Sequence, residues 1–216
     1  MSTSAFINSP TMDALGQDVF LKLSNADFLS MKGQANEVPI FIQTYDVKLE
    51  DSLRRMVSAL AGRLRNTGLT VQVVDLFELV LQELEGCGIL ASLVEEEASY
   101  DRVDVMETLQ NYSDPRTHLI PRLIDAIGGS ETQLTLITGP GRIYPFLRTH
   151  TILESLQPAM LRHPVVIFFP GSYEQAAEGG SRLRLFGDIP SPVINNPYYR
   201  ATNLEHYKPQ GGREQR

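Results

Sequence analysis

Leu134-Thr135-Leu136-Ile137-Thr138-Gly139-Pro140-Gly141-Arg142-Ile143-Tyr144-Pro145 is the stretch on which the fold turns. Its first five residues are an apolar, β-branched run of strand length. A glycine–proline–glycine turn follows, and Pro145 to Leu156 reads as a helix. A strand passing through such a turn into a helix starts a β–α unit, and the turn can present backbone N–H groups to a phosphate. A phosphate loop beginning at Gly139 needs glycine, lysine and a hydroxyl residue, in that order, five residues further on. Tyr144-Pro145-Phe146 stands there instead. The lysine that reaches phosphates and the hydroxyl that holds magnesium are both missing. Gly139 and Gly141 are therefore read first as a structural turn, and ATP hydrolysis is not expected.

Working outward, Ile40-Phe41-Ile42-Gln43-Thr44-Tyr45 is a compact strand ending at Asp46. Leu49, Leu53, Met56, Leu60 and Leu64 then recur at steps of three and four, one helical stripe supported by Glu50–Arg54 and Asp51–Arg55 pairs. Gly68 stops it. Leu69 to Val74 is a second strand, after which Asp75 caps a helix carrying Leu76, Leu79, Val80 and Leu84. Residues 89–127 are helical in pieces, with Asp114-Pro115 as a cap followed by proline. Val165 to Phe169 is a fourth strand, closed by Pro164 and Pro170.

The four strands, near 39–45, 69–74, 134–138 and 165–169, alternate with helices and are almost continuously apolar. That pattern predicts an α/β fold with a mostly parallel sheet, Rossmann-like or degenerate P-loop-like, flanked by helices. After Gly171 the pattern changes. Arg182-Leu183-Arg184-Leu185-Phe186 alternates as an edge strand with one wet face. A Pro/Asn-rich loop then leads to Tyr198-Tyr199-Arg200, so the C-terminal region is expected to be irregular. The expected organisation is an N-terminal helical extension over 1–35, one α/β domain over 36–207 and a disordered tail over 208–216.

The chain of 216 residues carries 19 Lys or Arg and 26 Asp or Glu, for a formal charge of −7. The imbalance is local: residues 1–141 are net −10 and residues 142–216 net +3. An acidic body disfavours nonspecific nucleic-acid binding by the whole surface. No apolar run approaches the roughly 20 residues of a membrane span, and the first residues lack the features of a signal peptide. Cys87 is the single cysteine, so an internal disulfide is excluded. These features predict a reduced, cytoplasmic protein with no membrane contact.

Asp75 and Asp46 each follow a strand and have two readings, magnesium ligand or helix cap; without a phosphate loop, capping is favoured for Asp75. With Gly139–Gly141 and Pro170-Gly171-Ser172 they share the carboxyl rim of a parallel sheet, where open α/β folds place ligands. Histidines 118, 150, 163 and 206 are scattered; His150 and Glu154 are one turn apart, but two possible ligands at that spacing are common by chance, so surface or packing roles are favoured. Cys87 has no base nearby in the sequence. No metal or cofactor is expected. Arg182, Arg184, Tyr198, Tyr199 and Arg200 are candidate interaction residues, because arginine and tyrosine concentrate binding energy at interfaces. Gly139, Gly141 and Gly171 are the candidate turn positions.

Several blocks taken in order resemble one family: Pro39-Ile40-Phe41-Ile42, then Thr138-Gly139-Pro140-Gly141-Arg142-Ile143-Tyr144-Pro145-Phe146-Leu147-Arg148-Thr149-His150, then Phe168-Phe169-Pro170-Gly171-Ser172-Tyr173, Leu183-Arg184-Leu185-Phe186-Gly187 and Tyr198-Tyr199-Arg200. Over roughly 38–204 this order is similar to the BrxB family of bacterial BREX phage-defence systems. The chain departs from the family pattern at Pro140, in a Glu174–Ser181 insertion before the edge strand, and at Pro197. The resemblance implies a small component of a multi-protein defence complex, without established catalysis, associated with the phosphatase-like PglZ protein. It carries over no catalytic residue, and adds Arg148 and Tyr173 to the candidate interaction residues.

The leading expectation is a non-catalytic adaptor or scaffold whose partners are other BREX proteins, of PglZ type first. Nucleic acid would then be reached only through a complex. The alternative is a nucleotide- or nucleic-acid-binding subunit using the carboxyl rim and the basic C-terminal third. An enzyme, ranked third, needs convergent acid, base or metal ligands in a pocket.

Overall fold

The computed structural model describes residues 11–31, 39–129, 131–156, 161–176, 180–187, 189–190 and 201–208. Helix α1 (Met12–Leu23) starts where the Thr11 hydroxyl accepts the Ala14 N–H at 3.3 Å, and the short α2 (Ala26–Leu29) follows it. Then come β1 (Ile40–Tyr45), α3 (Glu50–Asn66), β2 (Val71–Asp75), α4 (Leu76–Gly86), α5 (Leu90–Glu96) and α6 (Arg102–Tyr112). A π-type turn at Pro115–Leu119, capped by Asp114, runs into α7 (Ile120–Ile127). The chain continues through β3 (Leu134–Thr138), α8 (Thr149–Leu156), β4 (Val165–Ala176), β5 (Gly180–Leu185), β6 (Ile189–Pro190) and β7 (Thr202–Asn203).

The main sheet has the order β2-β3-β4-β1-β7, and every neighbouring pair in it is parallel. The expected α/β class and parallel core are thus present. Side chains alternate between two cores, as a strand period of two requires. Ile40, Ile42, Ile137, Ile167 and Phe169 face α4, α7 and α8. Phe41, Tyr45, Leu136, Val166 and Phe168 face α1 and α3. The α3 stripe buries Leu53, Val57, Leu60, Ala61 and Leu64, and α1 adds Leu15, Val19 and Leu23 to the same core.

Three local expectations are corrected. The helix expected from Pro145 begins at Thr149. Residues 139–146 instead fold as successive turns, with the Arg142 N–H donating to the Gly139 carbonyl at 3.0 Å and Leu147 N–H to Ile143 at 2.9 Å. These turns bury Ile143 and Leu147, and proline also biases the residue before it away from helix. The fourth strand does not stop at Phe169. Pro170 still pairs with Tyr45 of β1, and its carbonyl accepts the Phe186 N–H at 2.8 Å. Past it β4 leaves the parallel sheet as an antiparallel ribbon with β5; within the stretch read as an insertion, 174–176 pair with 180–182, and 177–179 lie outside the described residues. Nor is β5 a bare edge, since Arg184 and Leu185 pair on their outer side with Pro190 and Ile189 of β6. The tail expected over 208–216 lies, from 209 onward, outside the described residues.

Candidate functional site

The carboxyl rim brings the sequence candidates Asp75 and Gly139 together. Asp75 is in register with Thr138 on neighbouring strands. Its Oδ1 accepts the N–H groups of Phe77 at 3.0 Å and Glu78 at 3.2 Å, capping α4. Its Oδ2 accepts the Thr138 hydroxyl at 3.0 Å and a guanidinium N–H of Arg142. Arg142 also lies 5.1 Å from the centre of the Phe77 ring and 3.9 Å from Glu78 Oε1. Gly139 has φ +86, and a Cβ there would stand 2.8 Å from Asp75 Oδ1. Only glycine lets the turn come this close while adopting a left-handed backbone. Of the two readings of Asp75, the structure supplies capping and adds an ion pair with Arg142. Asp46 likewise accepts the Lys48 N–H at 2.9 Å.

At the neighbouring rim position Tyr45 donates its hydroxyl to Glu50 Oε2. Burial first, then the bond to Glu50, hold the phenol far above its usual range. Gly141 packs against Pro170 and Phe186. At Gly171 (φ +149) a Cβ would fall 1.9 Å from the Arg184 carbonyl oxygen, so the ribbon can cross here only without a side chain.

The interaction candidates divide between two faces. Leu183 and Leu185 of β5 are buried, while Arg184 is partly exposed with its Nε donating to Glu174 Oε2 at 3.0 Å. Register places Arg182 opposite Glu174 in the ribbon. Tyr173 pairs with Leu183 on the other side, and its hydroxyl donates to the Ala201 carbonyl at 2.8 Å. Arg148 is exposed just before α8. Tyr198, Tyr199 and Arg200 lie outside the described residues.

One cluster escaped the sequence reading. Glu83 of α4 is only 7% exposed. His118 Nδ1 lies 2.9 Å from its Oε1, Arg122 pairs with its Oε2, and Cys87 Sγ lies 3.8 Å from Oε1. The signal was available: Leu76, Leu79, Val80, Glu83 and Leu84 form one helical stripe, so a carboxylate stood at a core position and required partners. His118 is 35 residues away in sequence, which hid the pairing. His163, buried, shares a 2.9 Å hydrogen bond with the Thr135 hydroxyl, and burial lowers its pKa. Among the described residues no group of three or more His, Cys, Asp or Glu side chains is placed to hold a metal ion, and no helix is long and apolar enough to cross a membrane.

A family model described as BREX protein BrxB matches residues 72–204. The chain belongs to the BrxB family. A BREX protein BrxB of Bacillus cereus (strain H3081.97) is 29% identical over 191 residues, covering 87% of this chain and 94% of that relative. A second BREX protein BrxB, of Escherichia coli O9:H4 (strain HS), is 21% identical over 197 residues, covering 90% and 92%. No solved structure matches the chain. The BrxB match takes in Asp75, Glu83, Arg142 and the β4–β5 ribbon, and begins after β1.

Proposed function

We propose that this BrxB-family chain is a non-catalytic adaptor or scaffold subunit of a BREX phage-defence complex. In that role the outward face of the β4–β5 ribbon docks a larger defence protein of the phosphatase-like PglZ type. Family membership supports a subunit of that defence system, with other BREX proteins as its partners. The engagement of Asp75 by two cap N–H groups, a hydroxyl and a guanidinium supports a rim committed to holding the fold rather than to turning over a nucleotide.

The observation that carries the docking face is the placement of Arg184. Its ribbon is anchored through buried Leu183 and Leu185, while the guanidinium stands outward in a solvent-accessible pair with Glu174. Such exposed pairs stabilise a fold by only about 0–1 kcal/mol. Arg184 can therefore exchange Glu174 for a partner's carboxylate at little loss, and arginines desolvated in this way often dominate an interface. The test is the double variant Arg184→Ala, Arg200→Ala in the tagged full chain, co-expressed with the PglZ-type protein. Capture should weaken while the melting temperature stays unchanged. Undiminished capture by a folded double variant removes this face from consideration, and a lowered melting temperature assigns the two arginines to the fold instead.

A further inference from the structure

A cavity of about 560 Å³ opens at the carboxyl end of β1, against α1 and the turn that follows β7. The connection after β1 runs through α3 on one face of the sheet, whereas those after β2 and β3 run through helices on the other. Strands β1 and β4 are neighbours at this reversal, and the cavity reaches from β1 to Gly171 just past the parallel part of β4. Open α/β sheets place ligands at such a reversal.

Its polar lining consists chiefly of acceptors. Asp18, Asp46 and Glu205 contribute three carboxylates against one ammonium, Lys22. That ammonium is already held by Asp18 at 2.8 Å and by the Glu205 carbonyl at 3.3 Å. Gln43, 1% exposed, lines the same cavity between Phe41 and Tyr45 on the α1 face of β1. Its Nε2 donates to the Thr44 carbonyl at 3.1 Å, a contact only the amide nitrogen can make, so the other terminal atom is an oxygen. That Oε1 is buried and has no hydrogen-bond partner among the described residues. A polar atom in this position ordinarily has one.

We propose that this cavity binds an alkylguanidinium group. Its planar array of donors would satisfy the Gln43 carbonyl together with the carboxylates of Asp18 and Glu205, and its alkyl stem would lie along Leu15 and Leu49. The group can belong to a free small molecule or to an arginine side chain of a protein partner.

Calorimetric titration of the full chain with propylguanidine tests the proposal, with the uncharged isostere propylurea as control and N-acetylarginine methylamide as the peptide-like probe. Propylguanidine should bind, propylurea should not, and Glu205→Gln and Gln43→Leu should each weaken binding about tenfold, the size of a lost charge-assisted contact. Asp18→Asn, at an exposed carboxylate, should weaken it even if Gln43→Leu does not fold. Tighter binding of the arginine amide than of propylguanidine identifies a protein ligand, and the reverse a free one. No heat with either guanidine at millimolar concentration, equal binding of propylurea, or affinity unchanged in Asp18→Asn and Glu205→Gln overturns the proposal.

Discussion

Arg142, in the turn after β3, pairs with Asp75 at the end of β2, and Thr138 donates to the same carboxylate oxygen. One aspartate thus joins two strand ends, a helix N-terminus and a turn. Asp75→Ala removes the cap and leaves a mostly buried guanidinium unpaired. A loss of about 2–4 kcal/mol is expected, below the full value for a buried pair because Arg142 keeps some solvent contact. Chemical denaturation of wild type and variant measures it; an unchanged midpoint contradicts the central place given to Asp75.

The purified chain is expected not to hydrolyse ATP, because Tyr144-Pro145-Phe146 supplies neither lysine nor a Ser/Thr hydroxyl and Asp75 is held by Arg142. Phosphate release that co-elutes with the protein and disappears in Asp75→Ala would show the opposite.

Glu83 is buried between His118 and Arg122. Removing one partner of such a pair is expected to cost about 3 kcal/mol, whereas replacing charges by apolar side chains of similar volume is often neutral. Arg122→Leu, which leaves the buried Glu83 carboxylate without its guanidinium, should therefore lower the melting temperature more than the double change Glu83→Leu, Arg122→Leu. The reverse order in thermal melts would mean that the ion pair itself supplies net stability.

Gly171→Ala puts a Cβ against the Arg184 carbonyl oxygen, which is backbone and cannot swing aside. A loss of about 3 kcal/mol or more is expected. Gly187→Ala is the matched control: it shares a positive φ but has open space around it, and should lose about 1–2 kcal/mol. Equal losses in urea titration would show that only the backbone angle matters at Gly171.

Burial lowers the pKa of His163 below the usual 6.5, and lowers that of His150 against the opposing influence of Glu154. Since the folded value lies below the unfolded one, the unfolded chain binds more protons as pH falls through 6.5. The stabilising contribution is therefore complete above that pH and declines beneath it. Urea midpoints at about pH 7.5 and about pH 5.5 should show the decline, lying above the range in which carboxylates titrate. His163→Gln, which keeps a polar partner for Thr135, should flatten it. An equal pH dependence in the variant would exclude His163 as a source.

The strand–helix alternation, the parallel core and the family were legible in the sequence, because these follow from short-range periodicity and from the order of local motifs. The third strand was legible to the residue at Leu134–Thr138, and the first to within one residue at Ile40–Tyr45. Asp75 as a helix cap was equally local, involving residues two and three positions away. What only the tertiary structure decided involved partners distant in the chain. Arg142 stands 67 residues from Asp75, and Glu205 lies 161 residues from Thr44, which it meets at the rim of the cavity. Pro170 misled because proline usually ends a strand, yet here its carbonyl still pairs with Phe186. Gln43 shows the limit most plainly: the sequence places it in a strand, but whether its amide oxygen meets a partner or lines a cavity depends on where α1 packs, a matter of long-range shape rather than local pattern.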